Sequence, residues 1–190
     1  MSSEAAPARV FRIAVVCTAN RIRSPLAAAV LLRQLDGLPF EIVSRGTLDV
    51  GPLPPLVGAL QAAQRYGLTL SAHRARKIAL GELVEADLVI GFERAHLVAA
   101  IQEGLANPAV VFTLPELVAL LDRLERSADE THSGPELIRA AEKLRQGKGD
   151  GALAEIDDPI GQPPDAFAEA ADRVRDLAQR LAEHLSRSAR

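Results

Sequence analysis

The chain contains a single cysteine, Cys17, and an arginine follows it six positions later at Arg23. An apolar run precedes the cysteine, and Ser24 and Pro25 follow the arginine. A short loop that leads from a strand into a helix directs successive backbone N–H groups at one point, where they can bind an anion. The Arg23 guanidinium would add a forked donor for two phosphate oxygens, and a thiol in such surroundings is favoured as the nucleophilic thiolate. The spacing therefore predicts a phosphoryl-transfer site that works through a cysteinyl-phosphate.

Cys-x5-Arg by itself is a weak pattern, because arginine is frequent in this chain. The alternative interpretation is a small buried cysteine at the end of a core strand, which is the usual environment of a lone cysteine. The neighbouring residues favour the functional interpretation. Ser24 stands where a helix N-cap is expected and Pro25 at the first helical position. Leu26, Val30 and Leu31 then form an apolar stripe typical of a helix.

A cysteinyl-phosphate mechanism also needs an acid that protonates the leaving oxygen and then, as a base, activates water. Asp158 is the candidate, because it precedes Pro159 and its backbone is therefore biased towards an extended or turn conformation. Asp157 is the rival, since the sequence does not say which carboxylate points at the site. The Asp-Pro pair could equally do no more than start a turn before the last helix.

The composition limits the function classes that are open. A length of 190 residues predicts one domain, and 48% apolar but only 3% aromatic residues predict an aliphatic core. A net charge of −3 argues against a general nucleic-acid or membrane-surface binder. One cysteine excludes an internal disulfide and a cysteine-rich metal site, and a free thiol fits a cytoplasmic location. We expect no signal peptide at the start and no membrane-spanning segment.

Strands alternate with helices along the chain, which predicts a parallel sheet. The strands are expected at 11–16, 40–43, 86–92 and 109–114, and the helices at 25–35, 56–66, 94–103, 115–126 and 135–145, with a long last helix after 164. Residues 1–10 are expected to be a disordered tail, and 11–190 a single domain with a helical insertion around 127–156. In such sheets the site lies beyond the carboxyl ends of the strands, and Cys17, Ser44 and Glu93 fall at or just after such ends.

Other residues that could carry chemistry have simpler interpretations. Glu93 could line the site, but could equally cap the helix that begins near Arg94. His96, His132 and His184 show no spacing typical of metal ligands, and we expect them at solvent-facing helix or loop positions. No metal site is predicted.

Four separated segments resemble the low-molecular-weight protein-tyrosine phosphatases. Residues 16–25 resemble the active-site loop of that family, and 44–47 followed by Val50 and Gly51 resemble its substrate-wall segment. Residues 71–76 resemble its His-x-Ala-Arg segment, and Asp158 with Pro159 its late general-acid loop. The order of the segments agrees, and the resemblance spans residues 11 to about 185.

The resemblance implies a role for each matching residue. Cys17 is the implied nucleophile, and Asp158 the implied general acid and then base. The implied phosphate-binding loop consists of Thr18, Ala19, Asn20, Arg21, Ile22 and Arg23, of which Arg23 also binds through its side chain. Ser24 is expected to donate to the Cys17 sulfur, while Asn20, Ser44 and His73 hold the loop in shape. The implied fold is an α/β three-layer sandwich with a four-stranded parallel sheet and helices on both faces, which needs no metal and no organic cofactor.

The departures from the family pattern concern the substrate. The usual wall aromatic is replaced by Leu48 or Asp49, and the tyrosines that often follow the Asp-Pro pair are replaced by Ile160 and Gly161. Arg21 occupies the loop position that helps to select the substrate in this family. A flat apolar slot for a phosphotyrosine ring is therefore less well defined in this chain.

The leading hypothesis is a phosphomonoesterase that acts on phosphotyrosyl protein. Three alternatives stay open: a single-cysteine arsenate reductase that uses an external thiol, a phosphoarginine phosphatase, and a non-catalytic phosphate-binding regulatory module. The expected partner is a phosphorylated protein substrate, with no nucleic acid and no membrane. The sequence leaves the oligomeric state open.

Overall fold

Four parallel strands form the central sheet in the computed structural model, which describes residues 9–125, 133–147 and 154–188. The strands are β1 (Phe11–Cys17), β2 (Phe40–Gly46), β3 (Leu88–Gly91) and β4 (Val111–Thr113). Their order across the sheet is β2-β1-β3-β4, and each neighbouring pair is parallel. The predicted α/β class with a four-stranded parallel sheet is confirmed.

Within the described ranges, six α-helices connect or follow the strands. They are α1 (Arg23–Gln34), α2 (Val57–Arg65), α3 (Arg94–Gln102), α4 (Leu114–Glu125), α5 (Gly134–Gln146) and α6 (Pro164–Ser188). Helix α5 contains the predicted helix at 135–145, whereas most of the predicted tail at 1–10 and residues 127–132 and 148–153 of the predicted insertion lie outside the described residues. In the portion of the chain that is described, no helix has both the length and the apolar character to cross a membrane.

The sheet is buried on both faces because the side chains of each strand alternate between two cores. Ile13 and Val15 of β1 belong to the core that packs under α1, α4 and α6, while Ala14 and Val16 belong to the core under α3. Such continuous apolar strands are typical of parallel sheets covered by helices on both sides. The arrangement confirms the predicted layers, and the large core side chains are mainly aliphatic, as the composition indicates.

Strand β2 is longer than its apolar pattern predicts. Its pairing with β1 continues through Ser44 and Arg45 and ends where Gly46 lies opposite Cys17. Backbone hydrogen bonds of the ladder do not require apolar side chains, so polar residues at a strand end are easily mistaken for a loop. Ser44 therefore lies inside a strand next to β1 rather than in the loop predicted after residue 43.

Candidate active site

Cys17 ends the central strand β1, and the segment 18–22, here called the nucleophile loop, leads directly into α1. The cysteine is only 3% exposed, and its Sγ lies 3.0 Å from Ser24 Oγ. Helix α1 begins at Arg23 with Ile22 as the N-cap, so the prediction that Ser24 caps the helix is wrong. Its hydroxyl faces the sulfur instead. Because a thiolate can only accept, Ser24 is the donor whenever Cys17 is ionised.

The carbonyl groups of the nucleophile loop face the surrounding chain. The Cys17 carbonyl accepts from the N–H of Thr47 at 2.9 Å, and the Thr18 carbonyl accepts from the N–H of Leu48 at 2.8 Å. The Arg21 carbonyl accepts from the N–H of Leu56 at 3.2 Å. By contrast, no backbone N–H of residues 18–22 donates to another residue within the described ranges. Buried backbone donors normally have partners, so a run of free N–H groups entering a helix is suited to an anion.

Asn20 holds the nucleophile loop in its turn. Its φ of 53° lies in the left-handed region, where asparagine is tolerated better than most residues, and the residue is fully buried. Its Nδ2 donates to Ser24 Oγ at 2.8 Å and to Ser44 Oγ at 3.0 Å, while its Oδ1 accepts from the N–H of Arg76 at 3.0 Å. The Asn20 carbonyl accepts from His73 Nε2 at 2.8 Å. One side chain thus joins α1, β2 and the 71–76 segment.

His73 has a defined role as a donor to the nucleophile loop. Burial lowers the pKa of His73 from 6.5, and the nearby charges of Arg74 and Arg45 lower it further, while the hydrogen bond to Asn20 acts in the opposite direction. A backbone carbonyl only accepts, so Nε2 carries the hydrogen and donates it to the loop.

The side chain of Arg23 donates four hydrogen bonds inside the site, and only 1% of the residue is exposed. Its Nη1 donates to the Glu93 carboxylate and to the carbonyl of Ile156, the latter at 2.9 Å. Its Nη2 donates to Thr18 Oγ1 at 3.2 Å and to Asp158 Oδ2 at 2.6 Å. Both N–H groups of each Nη atom thus have protein partners, so a phosphate that binds the guanidinium in bidentate fashion must displace one of them.

The segment 154–158 carries Asp158 to the nucleophile loop. Ile156 donates its N–H to the carbonyl of Phe92 at 2.9 Å, so the segment runs beside the end of β3. Two further bonds hold it, from Thr113 Oγ1 to the Ala154 carbonyl at 2.8 Å and from the Arg94 N–H to Glu155 Oε1 at 2.6 Å. Asp158 reaches Arg23, whereas Asp157 is exposed and forms no hydrogen bond or ion pair with Arg23.

The expectation that His96 faces solvent is wrong. The residue is 1% exposed, and its Nε2 lies 3.1 Å from Thr18 Oγ1 of the nucleophile loop. Burial and the Arg23 guanidinium lower the pKa of His96 from 6.5 to about 4, and the Asp158 carboxylate opposes them. Sequence reasoning missed this residue because a histidine near a helix start has no distinctive spacing.

Two further histidines, His132 and His184, lie later in the sequence. His184 is half-buried rather than solvent-facing, and its Nε2 lies 3.1 Å from Asp122 Oδ1. His132 lies outside the described residues.

Glu93 fits both interpretations that the sequence allowed. It is the N-cap residue of α3, and its carboxylate pairs with Arg23. Over the residues that the structure covers, no three His, Cys, Asp or Glu side chains are grouped as metal ligands.

A comparison with protein families places this geometry in context. The family model described as "Low molecular weight phosphotyrosine protein phosphatase" matches residues 12–130. The chain belongs to this family. It is therefore an enzyme of the hydrolase class, a phosphatase related to the low-molecular-weight protein-tyrosine phosphatases.

Curated relatives and solved structures agree with the family. The probable low molecular weight protein-tyrosine-phosphatase EpsP of Ralstonia nicotianae is 30% identical over 55% of this chain and 71% of its own length. The protein-arginine-phosphatase of Geobacillus stearothermophilus is 26% identical over 92% of this chain and 96% of its own length. A crystal structure of the family member from T. tengcongensis superposes with a TM-score of 0.67 at 23% identity, covering 91% of this chain and 98% of that one, which shows a shared fold.

The rim of the phosphatase site is aliphatic. Leu48 lies beside Thr18, to whose carbonyl it donates, and Ile160 lies beside Asp158, to whose Oδ1 it donates at 3.1 Å. Both side chains are more than half exposed, at 54% and 55%. Two large aliphatic side chains are therefore exposed next to residues of the site, and neither has an aromatic face.

Arg21 of the phosphatase is hydrogen-bonded to the segment that follows β2. Its Nε donates to the Pro54 carbonyl at 2.7 Å, and its own carbonyl accepts from Leu56. The side chain therefore spans from the nucleophile loop to the segment that follows β2. Its terminal Nη groups make no hydrogen bond to another residue in the described parts of the chain.

Proposed function

We propose that this phosphatase hydrolyses phosphotyrosyl protein through a cysteinyl-phosphate formed on Cys17. The observation that carries the proposal is the combination at one point of a lone cysteine, a loop with free N–H donors, and a buried arginine that contacts Asp158. Backbone donors and a guanidinium fork suit the equatorial oxygens of a phosphoryl group in transfer.

In the first step the Cys17 thiolate attacks phosphorus, so that an S–P bond forms while the P–O bond to tyrosine breaks. Asp158 gives its proton to the leaving oxygen, which departs as the neutral phenol. In the second step Asp158 takes a proton from water, the oxygen of that water bonds to phosphorus, and the S–P bond breaks. The Ser24 hydroxyl, 3.0 Å from Sγ, donates to the sulfur as the thiolate returns. The sequence of steps requires no metal ion and no organic cofactor.

The substrate preference follows from the rim. Leu48 and Ile160 can contact a phosphotyrosine ring by dispersion. They lack the additional stabilisation of roughly 0.5–1.5 kcal/mol that a stacked pair of aromatic rings contributes. We therefore expect modest affinity for small aryl phosphates. The Nη groups of Arg21 are suited to acidic side chains that flank the phosphotyrosine of a protein.

Phosphoarginine is a second candidate substrate. It is favoured by the relative named a protein-arginine-phosphatase, which matches 92% of this chain, and by the lack of an aromatic wall. It is opposed by Arg21, because a phosphoguanidinium brings positive charge towards an arginine at the mouth of the site. We also propose that the enzyme acts in the cytoplasm, where its one thiol stays reduced.

The testing experiment is a turnover panel with phosphotyrosyl, phosphoarginyl and phosphoseryl peptides, and with arsenate plus a thiol. We expect the phosphotyrosyl peptide to have the highest kcat/KM, and acidic flanking residues to increase it. A clear preference for phosphoarginine, or arsenate reduction without phosphatase activity, would contradict the proposal.

The matched variant for this panel is Cys17→Ser, which removes the nucleophile but keeps the loop and its donors. It should abolish turnover of every substrate while phosphate binding, measured by titration calorimetry, is largely retained. Substantial hydrolysis by this variant would show that Cys17 is not the nucleophile. Loss of phosphate turnover in both wild type and variant, with binding intact, would favour the regulatory module.

A further inference from the structure

The hydrogen bonds of His96 define the position of its proton. Its Nδ1 lies 3.2 Å from the N–H nitrogen of Phe92 and 3.1 Å from that of Glu93, and a backbone N–H can only donate. Nδ1 must therefore accept, and the hydrogen of the neutral ring sits on Nε2. Nε2 faces Thr18 Oγ1 at 3.1 Å, so the imidazole donates to the threonine.

Thr18 thereby receives two hydrogen bonds on one oxygen. Its Oγ1 accepts from His96 Nε2 and also from Arg23 Nη2, which lies 3.2 Å away and can only donate. A hydroxyl oxygen has two lone pairs and one hydrogen, so both of its acceptor positions are occupied. The hydroxyl hydrogen of this half-buried residue is left to donate away from His96 and Arg23. Thr18 directly follows the proposed nucleophile.

We propose that His96 is a positioning residue that, through Thr18, orients the Arg23 guanidinium and directs the Thr18 hydroxyl hydrogen to a bound phosphoryl group. The inference deepens the proposed function and rests on it. It adds a side-chain donor to the loop's backbone N–H groups, and it assigns the orientation of that donor to a histidine on α3, 78 residues away along the chain.

The packing of α3 against β3 fixes the imidazole. A Cβ on Gly91 would lie 2.7 Å from Leu97 Cδ2 and 3.0 Å from His96 Cβ. The first turn of α3 therefore packs closely against the end of β3. The His96 ring meets the Phe92 ring edge-on at 6.3 Å, and Arg23 lies over the same Phe92 ring at 5.7 Å. The imidazole, the guanidinium and the hydroxyl are thus held by a shared set of contacts.

Burial and the charged groups around His96 together keep its ring neutral, so that Nδ1 can accept. Arg23 from the start of α1 opposes a second proton, while Asp158 and Glu93, whose Oε2 lies 3.9 Å from Nε2, favour one. Burial of the ring is the largest cause, and together with Arg23 it lowers the pKa of His96 to about 4, so the ring stays neutral above that pH. Its hydrogen bond to Thr18 is therefore available over the whole range in which the enzyme would work.

Four variants test the inference. His96→Asn keeps an acceptor for the Phe92 and Glu93 N–H groups but ends too early to reach Thr18. His96→Gln carries an acceptor and a donor side by side, and glutamine at this helix position commonly accepts from the N-cap N–H. Thr18→Val removes the hydroxyl and keeps the shape, whereas Thr18→Ser keeps the hydroxyl. The probes are inorganic phosphate as a competitive inhibitor and p-nitrophenyl phosphate as a substrate.

We expect His96→Asn and Thr18→Val each to raise the inhibition constant of phosphate and to lower kcat/KM by about tenfold, the effect of losing one hydrogen bond. His96→Gln and Thr18→Ser should recover most of the loss. In the Thr18→Val background, His96→Asn should add almost nothing, because it acts through the missing hydroxyl. A control variant, His184→Asn, replaces another partly buried histidine, on α6, and should leave the phosphate inhibition constant unchanged.

The inference is overturned if His96→Asn raises the inhibition constant of phosphate by the same factor in the wild type and in the Thr18→Val background. Unchanged phosphate affinity in a folded His96→Asn variant also overturns it. A failure of the proposed function looks different: the wild type would hydrolyse no phosphomonoester, yet calorimetric phosphate affinities would still follow the pattern expected for the four variants.

Discussion

Arg23 and Asp158 illustrate how two residues of one site can both cooperate and compete. Arg23 Nη2 donates to Asp158 Oδ2 at 2.6 Å, but a phosphate bound by both Nη groups needs the same donor. A phosphate dianion would also lie close to the Asp158 carboxylate and be repelled by it. The acid of the proposed mechanism therefore lowers the affinity of the site for the inorganic product.

A substitution of Asp158 should reveal both effects. Asp158→Asn should lower kcat by the ~10²–10⁴-fold typical of a lost general acid, and more strongly for poor leaving groups than for activated aryl phosphates. The same variant should bind inorganic phosphate more tightly than the wild type, because the competing charge is gone. Steady-state kinetics with two leaving groups and phosphate inhibition measure the two effects.

Asp157→Asn is the matched control, since its side chain is next in sequence but exposed and without contact to Arg23. We expect it to behave as the wild type. A large kcat effect in Asp157→Asn together with a small one in Asp158→Asn would mean that the other carboxylate is the acid.

At the level of elements, the end of β2 forms a wall against the nucleophile loop. Gly46 lies opposite Cys17 in the sheet, and a Cβ built on it would stand 2.9 Å from the Thr18 carbonyl oxygen and 3.2 Å from Asn20 Cβ. These neighbours are backbone or the first side-chain atom, so neither can rotate away. The close approach of β2 therefore sets the position of the loop.

Gly46→Ala should displace the loop while the sheet stays intact. Overpacking of this kind destabilises by about 1–3 kcal/mol. A shift of the loop by a fraction of an ångström should cost more in catalysis, where a misplacement of ~1 Å can lower the rate about 10²-fold. Urea unfolding and kcat/KM measured on the same preparation separate the two effects.

Gly37→Ala provides the comparison for that variant. Gly37 has a φ of 75°, so alanine is strained there, but a Cβ meets nothing within 4 Å and the residue lies in the connection between α1 and β2. It should lose roughly 1 kcal/mol of stability and keep its kcat/KM. If Gly46→Ala lost no more activity than Gly37→Ala, the close approach of β2 would have no catalytic importance.

For the whole molecule, neutral histidines buried near Arg23 and Asn20 make the fold sensitive to acid. The pKa of His96 is about 4 in the folded state, whereas it is near 6.5 in the unfolded chain. The unfolded state thus binds more protons in this window, so stability falls as the pH falls from 6.5 and levels off near 4. The lowered pKa of His73 acts in the same direction.

Urea unfolding at two pH values measures this loss. Between pH 7 and pH 5, His96 should contribute a decrease in the free energy of unfolding on the order of 2 kcal/mol. The His96→Asn variant should lack that part of the decrease, while the smaller part from His73 persists. Burial of the Glu82 carboxyl raises its pKa, but hydrogen bonds from Arg45 and from the Ala79 N–H outweigh burial and lower the pKa from 4.5. The stability that this carboxylate contributes is therefore lost only below about 4.5, outside this window. An identical pH dependence in wild type and variant would contradict the assignment to His96.

The sequence by itself determined the fold class, the four strands and the family. Alternation of apolar strands with helices is a local property, since each strand must be apolar on both faces to lie in a covered parallel sheet. The Cys17 loop, the 71–76 segment and the Asp-Pro pair carried their own spacing, so they could be recognised without knowing what they touch. Local patterns also predicted where most helices lie, with small errors at their ends.

Only the tertiary structure decided which side chains meet. It brought Asp158 rather than Asp157 to Arg23, placed Ser24 inside the first turn of α1 instead of at its N-cap, and buried His96 against Thr18. These contacts join residues from separate strand ends. Their distances depend on the order of strands in the sheet and on how closely α3 and the 154–158 segment pack, and neither is encoded in any single stretch of sequence.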